Sequence, residues 1–142
     1  MSILITPGQA GDNPQLLALL DGVSVRPPTS GRPRSRPRRV IADKAYSHPS
    51  TREALRARGI AFTCPERSDQ IARRKAKGPA GGRPPTFDQV IYRGRNVVER
   101  CIGRLKQFRG LATRYAKRVA YYRTEVVIAT IVIWLRNLQD TP

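Results

Sequence analysis

Arg39-Val40-Ile41-Ala42-Asp43 opens the stretch on which the fold turns, and Ser50-Thr51-Arg52-Glu53 followed by Gly59-Ile60-Ala61-Phe62-Thr63 completes it. The first word is a short apolar run suited to a strand inside a sheet, and it ends on a carboxylate. Ser50 with Glu53 three residues later is a capping-box pattern that starts a helix, and Gly59 suits its C-terminal stop. Ile60 to Thr63 is apolar enough for a second strand. Strand, helix and strand in succession predict an α/β architecture with Asp43 at the end of a strand, where proteins of this class build their sites.

Towards the N-terminus, Ser2-Ile3-Leu4-Ile5-Thr6, stopped by Pro7-Gly8, predicts another strand. Asn13 as N-cap and Pro14 at the first helical position predict a helix through Leu20. From Arg26 to Arg39 the chain carries Arg32, Arg34, Arg36 and Arg38 among prolines. Prolines lack amide donors and the charges repel, so 26–39 reads as a basic extended loop. Its functional reading is a contact tracking a DNA backbone; the plain reading is a solvated connector. A second basic Pro/Gly-rich loop is expected at 64–86, where Arg73, Arg74 and Lys75 precede a Gly-Pro run. It reads either as a segment that orders on DNA or as a flexible linker.

Downstream, Asp88 caps a helix expected to run to about Gly110. On one continuous helix, at roughly 100° per residue, Tyr92, Arg95, Glu99 and Lys106 project within about 60° of one another. Val97, Val98, Cys101, Ile102, Leu105 and Phe108 spread over the other side, where they pack. One acid among an aromatic and two cations suits a metal ion held against phosphate oxygens. By spacing alone, an amphipathic helix with a solvated polar face fits as well. A last helix is expected from Tyr115 to Leu138, with Trp134 and the aliphatics around it in the core.

The 142 residues suffice for one domain with a core, and 27 Lys and Arg against 10 Asp and Glu give a formal charge of +17. Such an excess implies a polyanionic partner, with nucleic acid ahead of a membrane surface because the arginines sit in turn-rich stretches. The longest apolar run, Val126 to Leu135, is about half the length that spans a bilayer. Cys64 and Cys101 show no CxxC spacing and read as reduced thiols. His48, the only histidine, has no evident catalytic partner in sequence.

Tyr92-x2-Arg95-x3-Glu99-x6-Lys106 resembles the signature around the catalytic glutamate of DDE transposases of the IS4 and IS5 insertion-sequence families, at all four positions and all three spacings. Arg95-Asn96-Val97-Val98-Glu99-Arg100, Arg104-Leu105-Lys106-Gln107-Phe108-Arg109, Ile41-Ala42-Asp43-Lys44-Ala45-Tyr46 and Thr6-Pro7-Gly8-Gln9-Ala10-Gly11-Asp12 are similar to the IS5 group, so the resemblance runs from about Ile3 to Leu135. It implies a ribonuclease H-like α/β fold in which Asp43 and Glu99 are catalytic and hold Mg²⁺ or Mn²⁺. It implies that Tyr92, Arg95 and Lys106 bind transposon-end phosphates, and that Arg32, Arg34, Arg36, Arg38, Arg73, Arg74 and Lys75 add DNA contacts.

The activity implied is phosphodiester cleavage at the element's ends and joining of the freed 3′ hydroxyl to target DNA. A homodimer, or assembly with an upstream transposase segment, is implied as well, in the bacterial cytoplasm at the nucleoid. The family's first Asp stands ahead of the Thr-Pro-Gly segment, which lies at Thr6 here. Residues 1–142 are therefore expected to be a partial catalytic domain lacking that Asp, with Asp12 a helix-entry residue and Asp21 no substitute. Exposed core surface should make the isolated chain marginal or prone to associate. The alternative is a non-catalytic basic DNA-binding fragment or remnant that associates with, or inhibits, a full-length transposase.

Overall fold

Three-residue strands carry the small sheet: β1 (Arg39–Ile41) and β2 (Ala61–Thr63) pair in parallel, Arg39 opposite Ala61, Val40 opposite Phe62 and Ile41 opposite Thr63. A parallel pair needs a crossover, and α2 (Pro49–Ala57) provides it, as the sequence predicts. The computed structural model describes residues 2–7, 9–27 and 30–139, the side chains of 137–139 excepted. The chain divides into two units, the first ending at Arg95 and the second beginning at Asn96, with Ile3–Pro7 belonging to the second.

In the first unit, α1 (Asp12–Asp21) and α2 close a core of Leu16, Leu55 and Ile60, flanked by Leu17, Leu20, Val40, Tyr46 and Phe62. Leu55 is 0% exposed, and burying such a side chain is worth about 1.5–3 kcal/mol. The helix starts differ from expectation by a residue or two. Gly11, not Asn13, is the N-cap of α1, and the Asn13 Oδ1 accepts a 2.9 Å hydrogen bond from Thr51 Oγ1, tying α1 to α2. His48, not Ser50, caps α2: its Nδ1 accepts from the Ser50 amide at 3.3 Å. At the other end Gly59 takes φ +64, a conformation glycine adopts without strain, and the chain turns directly into β2.

The first basic loop is irregular over its described part but not wholly unpaired. Val25 and Arg34 form an isolated antiparallel bridge with amide bonds of 2.9 and 2.8 Å, so the segment closes on the residue just before it at one step. The second expected loop is largely structured. Within 64–86, α3 (Ser68–Ala76) forms, followed by a 3-10 turn at Gly78–Gly81 that packs back on it. The Gln70 side chain reaches the Arg67 amide, and the Asp69–Arg73 pair at 3.2 Å supports the first turns. A basic composition conceals these local partners.

The helix expected from Asp88 to Gly110 is broken. Asp88 does cap α4 (Gln89–Arg93), accepting from the Ile91 amide at 2.9 Å, but Gly94 and Arg95 form a turn before α5 (Asn96–Lys106). Glycine is among the weakest helix formers, and the Gly94 and Arg95 amides bond back three residues, to Ile91 and Tyr92, rather than four. Tyr92, Arg95, Glu99 and Lys106 therefore do not share one continuous helix.

In the second unit, α5, α6 (Arg109–Ala112) and α7 (Val119–Gln139) pack on one another, burying Leu111 and Ala129. Trp134 is 61% exposed rather than buried, and Ile128, Ile131 and Leu135 are exposed with it. Val97, Val98, Cys101 and Ile102 of α5 are exposed as well, so only the Leu105–Phe108 end of the expected packing face is half-buried. Two of these three helices thus carry apolar surface that no layer in the described unit covers. Ser2–Pro7 forms no strand: β1 and β2 pair with each other, and an apolar run without a ladder partner gains nothing from extension. Among the described residues no helix is long and apolar enough to cross a membrane.

Candidate functional site

Asp43 follows β1 directly and is held rather than loose. Ala42 donates its amide to Thr63 O at 3.1 Å, the last rung before the chain leaves the sheet. The Asp43 Oδ1 then accepts from the Ala45 amide at 2.8 Å, capping a 3-10 turn at Lys44–Tyr46. Its carbonyl accepts from the Tyr46 amide at 3.1 Å and from the Cys64 thiol at 3.0 Å. The carboxylate is half-buried, and Oδ2 makes no hydrogen bond among the described residues.

Two neighbours feel this arrangement. Burial pushes the Tyr46 phenol above its ordinary value, and the charges of Asp12 and Asp43 push the same way. Asp12 is the first residue of α1, which packs on the 3-10 turn, so the helix-entry reading of this residue agrees with its position. Cys64 is pushed up to about 11 by burial, with the Arg52 guanidinium pulling against it and Asp43 adding to it. Arg52, which the sequence reading treats only as part of a capping pattern, donates to Cys64 O at 2.8 Å and lies 5.3 Å from the Phe62 ring centre. Its signal was its place on the helix face next to β2.

The signature residues fall on both sides of the break. In the first unit, the Arg95 guanidinium lies 5.6 Å from the Tyr92 ring centre, and that ring also meets Phe87 at 5.2 Å. In the second, Glu99 stands exposed in the first turn of α5 and Lys106 exposed in its last. Seven residues, or about two turns, put Glu99 and Lys106 on one face. The acid and the cation also complement the helix dipole at their respective ends.

Arg32, Arg34, Arg36 and Arg38 are all exposed, and Arg36 Nη1 donates to Arg58 O at the end of α2, at 3.0 Å. Arg73 and Arg74 lie on α3 with acidic partners, Asp69 and Glu66 respectively, while Lys75, the next residue of α3, is exposed. Among the described residues no three His, Cys, Asp or Glu side chains gather in a group able to hold a metal.

The described residues thus offer a strand-end carboxylate held by its own turn in the first unit and a glutamate and a lysine on one helix in the second. The family model described as the transposase DDE domain matches residues 1–135, and the chain belongs to that family. It is 32% identical over 118 residues to a protein named as a transposase for insertion sequence element IS402 from Burkholderia cepacia, covering 83% of this chain and 48% of that protein. It is also 32% identical over 131 residues to one named as a transposase for insertion sequence element IS6501 from Brucella ovis, covering 92% of this chain and 85% of that one. The chain thus spans about half the length of the first relative and most of the second. No solved structure matches it.

Proposed function

We propose that the chain acts in DNA transposition as part of a DDE catalytic domain of ribonuclease H-like fold, of the IS5 type, in the bacterial cytoplasm at the nucleoid. In this reading the chain works as a homodimer or in assembly with an upstream transposase segment. Asp43 is the observation that carries the proposal: a half-buried strand-end carboxylate with one oxygen fixed by the Ala45 amide and the other without a hydrogen bond among the described residues.

The donor chemistry fits Mg²⁺ or Mn²⁺. Asp43 and Glu99 offer hard carboxylate oxygens, and Mg²⁺ takes one or two of these, with water and substrate phosphate oxygens filling the shell. When bound, such ions polarise the phosphodiester and stabilise both the entering and the leaving oxygen. The chain's own residues orient and hold. The strand-end turn fixes Asp43, Glu99 supplies the second carboxylate, and Tyr92, Arg95 and Lys106 take phosphates of the transposon end, Arg95 as a fork and Lys106 as a point charge. Arg32, Arg34, Arg36, Arg38 and Lys75 add sequence-independent backbone contacts to end and target DNA.

A second reading, DNA binding without chemistry, is favoured by the charge of +17 taken alone. Mobilisation of a marked element in cells separates the two. The catalytic reading expects Asp43→Asn or Glu99→Gln to bring transposition to background while DNA affinity stays at the wild-type level. Undiminished transposition in both variants sinks it.

A further inference from the structure

We infer that the first unit holds a binding cleft for a DNA backbone phosphate between the start of α2, α3 and the Gly78–Gly81 turn, floored by Ser47 and walled by Arg52, Lys77 and Arg83. This deepens the proposed function and rests on its DNA reading. The cleft is an open cavity of about 540 Å³. Six cations and two carboxylates line it. Arg74 is neutralised by Glu66, and Arg67 and Arg73 share Asp69 at 3.0 and 3.2 Å. Arg52, Lys77 and Arg83 have no acidic partner among the described residues. The ion pairs therefore shape the wall, and the unmatched cations set its charge.

A second, independent feature points the same way. Ser47 lines the cavity, is 2% exposed, and its Oγ has no hydrogen-bond partner among the described residues. A buried hydroxyl left unbonded carries an uncompensated desolvation cost, which a phosphate oxygen would offset by accepting from it. Gln70 Nε2 donates to Ser47 O at 3.2 Å and holds α3 to this floor.

The opposite wall depends on glycine. A Cβ at Gly81 would lie 2.1 Å from Arg74 O, so only glycine lets the 3-10 turn fold down onto α3. Gly78 and Gly82, at φ +53 and +71, make the bends on either side. Lys77 and Arg83 thereby flank a folded-back turn instead of trailing along an open loop.

A phosphodiester suits this lining better than a carboxylate, since its two free oxygens accept from a hydroxyl and from guanidinium and ammonium groups together. Position gives the cleft a use. Ser47 ends the turn that Asp43 caps, four residues on, so a phosphate held here fixes a DNA strand against the loop carrying the proposed metal ligand.

The test is duplex DNA binding by anisotropy across a salt series, with wild type, Lys77→Gln/Arg83→Gln and Ser47→Ala, and unfolding measured for each. The cleft predicts roughly tenfold weaker binding and a salt slope shallower by about 1 for the double variant. Ser47→Ala should bind more weakly while unfolding no more easily, because it removes an unbonded hydroxyl. Wild-type affinity and slope in the double variant would overturn the cleft and leave the DNA reading intact. No DNA binding by the wild type would overturn both. In that case saturable inorganic phosphate binding, lost in the double variant, would mark a free-anion site instead. Equal displacement of DNA by polyglutamate, with the same sensitivity to the variants, would also overturn the phosphate assignment in favour of an acidic partner.

Discussion

The first unit buries its own apolar pattern, whereas the second leaves much of its pattern bare. Leu16, Leu55 and Ile60 are enclosed by α1, α2 and the parallel pair, each segment supplying the layer its neighbour needs. In the second unit Ile102, Ile131 and Trp134 are as apolar as anything in the first, yet stand exposed. The contrast teaches that amphipathicity in a sequence declares a need for cover without saying what supplies it. In the proposed reading the cover is a second copy or an upstream transposase segment, and the exposed faces of α5 and α7 are where self-association would begin.

Paired truncations test this contrast most strongly. Leu55→Ala should cost about 2–5 kcal/mol in urea unfolding, because it opens a cavity in a closed core. Ile131→Ala, on the exposed face of α7, should change stability by no more than about 0.5 kcal/mol. Equal costs would mean that the α7 face is buried in solution and would break the comparison.

Next in size is Gly81→Ala, expected to cost roughly 1–3 kcal/mol by forcing the 3-10 turn off α3. Unchanged stability, measured the same way, would show that the second basic segment is not folded back in solution.

The smallest effect expected is on pH dependence. Cys64 is pushed up to about 11 from an ordinary 9.0, so its contribution to stability is fully present below pH 9 and lost as pH rises to 11. Tyr46, raised from 10.0, acts with the same sign at higher pH. The unfolding midpoint should therefore fall over this window, and Cys64→Ala should flatten the first part of the fall. A thiol reagent at pH 8 should label exposed Cys101 and spare buried Cys64. Equal labelling rates would contradict the closed first unit.

Legibility in the sequence follows the range of the interactions. Strand, helix and strand over 39–63 were readable because each is specified by its own residues: the apolar runs and the Gly59 stop. The N-caps were shifted because Asn13 is taken by Thr51, 38 residues away, a partner that local patterns do not show. Helix α3 was hidden by its composition, its supports being the Asp69–Arg73 and Glu66–Arg74 pairs rather than an apolar stripe.

The break at Gly94 was missed since the spacing of Tyr92, Arg95, Glu99 and Lys106 fits one helix and a single glycine does not always end one. For the candidate site, the strand-end place of Asp43 was legible, and its fixing by Ala45 follows from the Asx-type cap. Ser47, Lys77 and Arg83 were not, because the cleft depends on the fold-back that Gly81 permits.

The proposed function gives Asp43 and Glu99 a part in chemistry rather than in DNA binding. The most direct test is Mg²⁺-dependent nicking of element-end DNA by the protein in its DNA-bound assembly, with Asp43→Asn and Glu99→Gln each compared with wild type at saturating DNA. Both variants should lose nicking to background while binding the same DNA with wild-type affinity and salt slope. Nicking at the wild-type rate in both would contradict it.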